Sequence, residues 1–206
     1  MKKKGLYRDF FLHFDILFML VVFSIATVFV LVKGVTWVYM LFFIIGLVTY
    51  MFTEYLTHRY FFHLKTPKNP FFLKLLKRLH YDHHKHPNDL KLLFLPLWYS
   101  IPNLLIAAGI FFLIVQSVVG TISFITGTIL MLLIYEWKHY VAHRPIKPKT
   151  KLGIWVKKTH TLHHYKNENY WYGVSTPFVD VLFGTLKNEK EVETSQTAKD
   201  LEKRAK

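Results

Sequence analysis

The sequence predicts an all-α integral membrane protein with four transmembrane helices in two hairpins and a cytoplasmic helical cap. Three observations lead to this fold class. The 206 residues are 52% hydrophobic, and their mean hydropathy is +0.22. Four apolar runs are each about 20 residues long, which is enough to cross a hydrocarbon core of about 30 Å. Ten of the twelve histidines form four short clusters just beyond long apolar runs.

The four apolar runs define the predicted spans and turns. They occupy residues 10–32, 35–56, 100–119 and 121–140. His13 and Asp15 interrupt the start of the first run, and Pro102 stands at the entrance of the third, where its missing N–H costs little. Gly34 and Gly120 lie between the members of each pair. We therefore expect two very short outer turns and two helical hairpins.

The basic residues set the predicted orientation. Residues 1–9 hold 4 Lys and Arg, residues 57–91 hold 8 and residues 138–206 hold 14, and Lys33 completes the total of 27. Cytoplasmic segments of membrane proteins are enriched in Lys and Arg. We therefore place both termini, the long loop and all four histidine clusters on the cytoplasmic side, in a cell inner membrane or the endoplasmic reticulum.

The net charge of +14 narrows the classes of partner. The positive-inside bias is sufficient to produce it, and attraction to anionic lipid headgroups follows from it. An acidic electron-transfer partner is compatible with this charge. The basic residues are spread over several segments without a nucleic-acid-binding motif, so we expect no nucleic-acid partner. The absence of cysteine excludes disulfides, iron–sulfur clusters and thiolate-ligated haem.

The clustered histidines predict a metal site. Imidazole is a good ligand for iron, zinc, copper and nickel. Ten imidazoles are too many for one ion and suit two. The candidate ligands are His58, His63, His80, His83, His84, His139, His143, His160, His163 and His164.

The spacing within the clusters supports convergence of the imidazoles. Residues i, i+3 and i+4 share one sector of a helix, and this is the pattern of both histidine triplets. His139 and His143 are four apart and lie on one face. His58 and His63 are five apart, so they reach different metals, or the helix widens or ends between them. The isolated His13 and the neighbouring His86 fall outside these patterns.

Carboxylates are too few to dominate the predicted site. Di-iron sites in helical bundles use two Glu-x-x-His pairs and two further glutamates, whereas only Glu136 and His139 form such a pair here. Ligand histidines usually donate their second N–H to a carboxylate or a carbonyl. The candidates for this supporting layer are Asp82, Asp89, Glu136 and Asp180, along with Glu54. Asp89 is equally typical of a turn or an N-cap.

The histidine motifs and the segment that follows them resemble the fatty acid hydroxylase / sterol desaturase superfamily of integral membrane non-haem di-iron oxygenases. The resemblance spans residues 36–186 and is closest to fatty acid 2-hydroxylases without a cytochrome b5 domain. Its motifs are His58-Arg-Tyr-Phe-Phe-His63, His80-Tyr-Asp-His-His-Lys-His-Pro-Asn-Asp89, His139-Tyr-Val-Ala-His143, His160-Thr-Leu-His-His164 and Tyr172-Gly-Val-Ser-Thr-Pro-Phe-Val-Asp-Val-Leu-Phe-Gly-Thr185.

The resemblance implies a membrane-bound enzyme that hydroxylates a C–H bond of a lipid, with the ten histidines holding two iron ions. O2 is then the co-substrate. Two electrons come from a separate donor, such as a ferredoxin or cytochrome b5 with its reductase. Zinc is an alternative ion in the purified protein, because it outranks ferrous iron in intrinsic affinity. Lipid desaturation and β-carotene-type ring hydroxylation use the same core and remain alternatives.

A membrane metal transporter is the third alternative. Transporters place ionisable residues near the bilayer midplane, and the middles of the four predicted spans hold essentially none. We therefore favour the enzyme. The predicted organisation is a single membrane-embedded hydroxylase domain at residues 1–186, followed by a polar, mobile tail at residues 187–206.

Overall fold

The computed structural model describes residues 3–205, so the extreme ends of the predicted basic segment and of the predicted tail lie outside it. Every regular element in this described part is helical. In chain order the elements are α1 (Lys3–Phe11), α2 (Phe14–Lys33), α3 (Trp37–Leu56), the π-helix π1 (Thr57–Phe62), α4 (Pro70–Leu76), the π-helix π2 (Lys77–Tyr81), α5 (Asp82–Lys85), α6 (Leu90–Leu93), α7 (Leu97–Val115), α8 (Val118–His143), α9 (Lys151–Tyr165), α10 (Phe178–Leu182) and a 3-10 turn (Leu201–Ala205).

Four helices are long and apolar enough to cross a membrane, as the sequence predicted. Within the described residues, the candidate spans are Phe14–Lys33, Trp37–Phe62, Leu90–Val115 and Val118–His143. The all-α fold class is therefore confirmed. The arrangement in two hairpins and the cytoplasmic position of the cap stay predictions.

The second outer turn is not where the glycine pattern placed it. Gly34 ends α2 with a positive φ of 91°, as expected for a turn glycine. The other turn lies at Gln116, whose φ is 51°, and Gly120 lies inside α8. A Cβ on Gly120 would stand 2.9 Å from the ring of Phe42, so this glycine permits close packing and does not form the turn.

The spans differ from the predicted bounds at their starts. His13 adopts an extended conformation and forms the N-cap of α2, so the first span begins at Phe14 and not at residue 10. The helix of the third predicted span, α7, begins at Leu97, so Pro102 lies inside this helix and not at its entrance. The start of α7 is held by two carboxylates, since Asp15 accepts a hydrogen bond from the amide of Leu97 at 3.1 Å and Glu136 accepts one from Leu95 at 3.0 Å.

The chain divides into two compact units. The first comprises Met1–Met51 and Leu95–Glu136, and the second comprises Phe52–Phe94 and Trp137–Lys206. In the first unit, α3 and α8 pack backbone to backbone through two glycines. A Cβ on Gly46 would lie 2.0 Å from the carbonyl oxygen of Phe124, and one on Gly127 would lie 2.0 Å from that of Phe43. Small residues of this kind let transmembrane helices approach closely.

The second unit contains the helices that carry the histidine clusters. Asn69 caps α4 by accepting hydrogen bonds from the first amides, next to Pro70 at the favoured first position. Thr150 caps α9 in the same way, by accepting from Gly153 at 3.1 Å. Residues 187–205 also belong to this unit. Their mobility stays a prediction, but Leu201 is fully buried.

Candidate metal centre

The ten clustered histidines gather into two groups of five within the second unit. In each group the ligand atoms lie within 4.8 Å of one another, and nine of the ten side chains are buried. His13 and His86 belong to neither group, in keeping with their place outside the sequence patterns. We call the two sets group 1 (His58, His63, His80, His84 and His163) and group 2 (His83, His139, His143, His160 and His164).

Each histidine triplet is divided between the two groups. On α9, His160 and His164 enter group 2, and His163 enters group 1. On a helix of 3.6 residues per turn, residue i+4 lies about 40° to one side of residue i, and residue i+3 lies about 60° to the other side. The same division holds for the first triplet, whose middle member, His83, joins the other group. Each triplet thus supplies two ligands to one group and one to the other.

The two histidine pairs complete the groups. His139 and His143 stand one turn apart on α8 and both enter group 2. His58 and His63 are five residues apart, and the helix between them widens into π1, which was one of the arrangements expected from the sequence. Hydrogen bonds of the π-helix join residues i and i+5, so this widening brings His58 and His63 onto one face.

The imidazoles approach one another closely. Across the boundary between the groups, the rings of His84 and His164 stack with their centroids 4.0 Å apart. The Nε2–Nε2 distances within the groups are 2.8 Å for His63–His80, 3.0 Å for His80–His84, 3.0 Å for His63–His163, 3.2 Å for His58–His80, 2.9 Å for His83–His139 and 2.8 Å for His143–His160.

Backbone carbonyls fix the protonation of three group 1 rings. Because a carbonyl can only accept, each bonded Nδ1 carries the proton, and the Nε2 of the neutral ring carries a lone pair. Three lone pairs therefore point into one small space. The hydrogen bonds run from His58 Nδ1 to the Tyr172 carbonyl at 2.5 Å, from His84 Nδ1 to the Ala198 carbonyl at 2.7 Å and from His163 Nδ1 to the Tyr170 carbonyl at 2.8 Å.

The buried surroundings keep the imidazoles neutral. Burial disfavours the charged form of a histidine, and nearby histidines add to the effect. Metal ligation requires the neutral ring, so these pKa shifts favour binding. Burial lowers the pKa of His84 to about 3 and lowers the pKa of His63, His80, His83, His160, His163 and His164 well below the usual value of 6.5.

The donor set fits two bound cations. In group 1, converging lone pairs repel one another unless a cation lies between them. In group 2, both ring nitrogens of His164 are buried without a hydrogen-bond partner among the described residues. Imidazole nitrogens suit iron, zinc, copper and nickel. Five donors in each group exceed the four of a closed tetrahedral zinc site.

A loop held by two buried carboxylates presents the carbonyls of Tyr170 and Tyr172. Asp180 accepts hydrogen bonds from the amides of Tyr172 and Gly173, both at 2.8 Å, and from the Thr185 hydroxyl at 2.7 Å. Glu54 accepts from the amides of residues 174 and 175 at 2.8 and 3.2 Å. These contacts explain how the segment that closes the family motif supports the histidines.

The four predicted supporting carboxylates contact backbone amides or lysine. Asp180 acts through the loop just described, and Glu136 accepts from the amide of Leu95. Asp89 is the N-cap of α6, and Asp82 lies 3.9 Å from Lys77. A direct role beside the imidazoles stays a prediction for all four. The acceptors that the sequence could not reveal are the backbone carbonyls, because a carbonyl has no residue-specific signal.

The fold and the two histidine groups together define a membrane protein of a known type. The fatty acid hydroxylase family matches residues 43–185, and the chain belongs to this family. The resemblance stated from the sequence is therefore confirmed. The family match includes all ten clustered histidines.

Two individual relatives show how similar the sequences are. The chain is 33% identical over 152 residues to the fatty acid 2-hydroxylase of Mus musculus, covering 72% of this chain and 40% of that protein. It is 37% identical over 155 residues to the ceramide very long chain fatty acid hydroxylase scs7 of Schizosaccharomyces pombe, covering 70% of this chain and 42% of that protein. The chain thus spans about 40% of the length of these relatives.

A solved structure shares the fold. The structure of full-length scs7p, in which only the hydroxylase domain is visible, matches with a TM-score of 0.71 and 23% identity, over 86% of this chain and 65% of that chain. At this level of identity the match supports the fold alone. Together with the four apolar helices, the family membership indicates an integral membrane protein.

Proposed function

We propose that the protein is a membrane-bound, O2-dependent lipid hydroxylase that inserts oxygen into a C–H bond of a fatty acyl chain. One C–H bond, O2, two electrons and two protons would give one C–OH group and water. The convergence of ten buried imidazoles in two groups of five carries this proposal, because it supplies ligands for two redox-active ions. We assign the hydroxylase domain to residues 1–186.

The histidines of groups 1 and 2 would hold two iron ions, which supply the activation of O2 and the oxidation of the C–H bond. The chain's own part is to keep the imidazoles neutral and aligned. Burial disfavours protonation of the rings, and the carbonyls of Tyr170, Tyr172 and Ala198 set the tautomers of three of them. Ligand rings held in this way are more basic and already oriented for binding.

The names of the relatives support the substrate class and the position. The mouse relative is a fatty acid 2-hydroxylase, and the fission yeast relative is a ceramide very long chain fatty acid hydroxylase. We therefore propose carbon 2 of a long acyl chain, free or amide-linked, as the site of hydroxylation. Electrons would come from a separate donor, such as a ferredoxin or cytochrome b5 with its reductase. We also propose a cytoplasmic location for the histidine groups, from the distribution of Lys and Arg.

Lipid mass spectrometry tests this function. Cells that express the chain with a suitable donor should gain acyl lipids that are 16 mass units heavier, with 2-hydroxy acids after hydrolysis. Cells that express His83→Ala or His163→Ala at the same level should lack them. Hydroxylated lipids that persist in both variants would contradict the assignment. Unsaturated or ring-hydroxylated products would favour the two alternative oxidations.

A further inference from the structure

The C-terminal segment lies beside group 1, although it follows the family match, which ends at residue 185. The carbonyl of Ala198 accepts the Nδ1 proton of His84 at 2.7 Å. Leu201 is fully buried and packs in one cluster with Leu76 and Tyr81, on the helical stretch that carries the first histidine triplet. The segment therefore takes part in the structure around these ligands.

Arg204 contacts both His63 and the residues that follow α9. Its Nη1 donates to the carbonyl of His63 at 2.8 Å, and its Nη2 donates to the side-chain oxygen of Asn169 at 2.9 Å. The same Nη1 lies 3.4 Å from His63 Nδ1, which is longer than an ordinary N–H hydrogen bond. The Nε lies 3.7 Å from a carboxylate oxygen of Glu168. One guanidinium thus joins the end of π1 to the loop after α9.

The buried carboxylate of Glu168 explains why a charged side chain lies at this position. The side chain is only 1% exposed, and one of its oxygens accepts from the Thr197 hydroxyl at 2.5 Å. A buried carboxylate requires a charged partner or several hydrogen bonds. Arg204 supplies the charge, and its planar fork reaches several acceptors together. Glu168 and Thr197 therefore fix the guanidinium in the place from which it binds the backbone of His63.

We propose that Arg204 is a positioning residue for metal binding by group 1. It holds the backbone of His63 at the C-cap of π1, and thereby the direction of the His63 imidazole. This inference rests on the proposed metal site and extends it to a segment outside the family match. Loss of a contact that orients a metal ligand typically lowers metal affinity by about 10–100-fold. Arg204→Met should weaken the binding of one of the two ions by a factor in this range.

The test is a metal titration of the purified full chain in detergent, using zinc as the probe after chelation and dialysis. The wild type should bind two ions tightly, and Arg204→Met should bind one tightly and one about 10–100-fold more weakly. The matched control is Lys203→Met, which removes an equal charge from the next residue. The Lys203 side chain is 66% exposed and lies 3.6 Å from Asp200. This control should bind two ions as tightly as the wild type.

Two combinations separate positioning from a general structural effect. The single variant Arg204→Met leaves the buried Glu168 carboxylate without its charged partner. The double variant Arg204→Met/Glu168→Gln removes that charge as well, and its affinity for the second zinc ion should stay low. Recovery of both affinities in this double variant would overturn the proposal. When combined with His63→Ala, Arg204→Met should reduce zinc affinity little further, because both substitutions act on the same ligand. When combined with His143→Ala in group 2, the two losses of affinity should add fully. Full additivity with both histidine variants would also overturn it.

The outcomes distinguish the inference from the function on which it rests. A wild-type chain that binds fewer than two zinc ions refutes the two-ion site and the inference with it. If the wild type and Arg204→Met bind two zinc ions with the same high affinity, the inference alone is refuted and the proposed function stands.

Discussion

Replacing Lys157 with methionine should destabilise the contact between α8 and α9. The Lys157 ammonium donates to three backbone carbonyls in and just after the last turn of α8, those of Val141 at 2.8 Å, Arg144 at 2.7 Å and Ile146 at 2.9 Å. The Val141 carbonyl belongs to the last turn of α8, where a cation is favourable, and the other two follow directly after it. Methionine keeps the length and the apolar stem but leaves the three carbonyls without this donor.

The magnitude follows from the three hydrogen bonds. A hydrogen bond to a charged group contributes about 1.5–3 kcal/mol net when it is buried. Lys157 is only partly buried, so we take about 1 kcal/mol for each bond and about 3 kcal/mol in all. In chains of this size 1 kcal/mol shifts Tm by about 2–4 °C, so the expected fall is about 6–12 °C.

Thermal unfolding of the detergent-purified protein measures this shift. The matched control is Lys158→Met, at the next position of α9. The Lys158 side chain is 57% exposed and forms an ion pair with Glu189 at 3.0 Å, a contact that contributes about 0–1 kcal/mol. The control should lower Tm by about 0–4 °C. Equal shifts in the two variants would refute the reasoning from the three carbonyls.

Further predictions concern pH, helix packing and histidine selectivity. Because burial lowers the pKa of the triplet histidines, the unfolded apoprotein binds more protons than the folded one near and below about pH 6.5. The free energy of unfolding should therefore decrease between pH 7.5 and 5.5, by at most about 1.4 kcal/mol per histidine and pH unit, and Tm should fall with it. A constant Tm would contradict this. Gly127→Ala should lower Tm, because the added Cβ would clash with the Phe43 carbonyl. The control is Gly109→Ala, whose Cβ would have no neighbour within 4 Å, so Tm should stay equal or rise. His86→Ala should retain metal, and His83→Ala should lose it; equal losses would contradict the sorting of ligands.

The sequence predicted those features of the fold that depend on composition along a single helix. Apolar length alone located the four spans. The second outer turn was misplaced because a glycine serves either a turn or a close contact, and the ring of Phe42 decides between them at Gly120. The neighbour that decides lies far away in the chain, so local pattern could not reveal it.

In the candidate site, too, local spacing predicted some features and tertiary contacts determined the others. Spacing alone identified ten histidines that converge, and the i+5 separation of His58 and His63 left a widened helix as one of three alternatives, which the structure shows at π1. The division of each triplet between two groups depends on which helices face it. The polar composition of residues 187–206 predicts a mobile tail and gives no sign of two contacts with the histidine groups. The Ala198 carbonyl accepts from His84, and the Arg204 guanidinium donates to the His63 carbonyl. Such contacts depend on tertiary structure and have no counterpart in residue spacing.

The number of metal ions bound per chain tests the central claim most directly. Inductively coupled plasma mass spectrometry of the protein, purified from iron-supplemented cells and quantified by amino-acid analysis, should give two transition-metal ions per chain, counting iron and zinc together. A variant that carries both His83→Ala and His163→Ala, one from each group, should give fewer than one. A wild-type ratio of one or zero, or an unchanged ratio in the variant, would contradict two metal sites built from five histidines each.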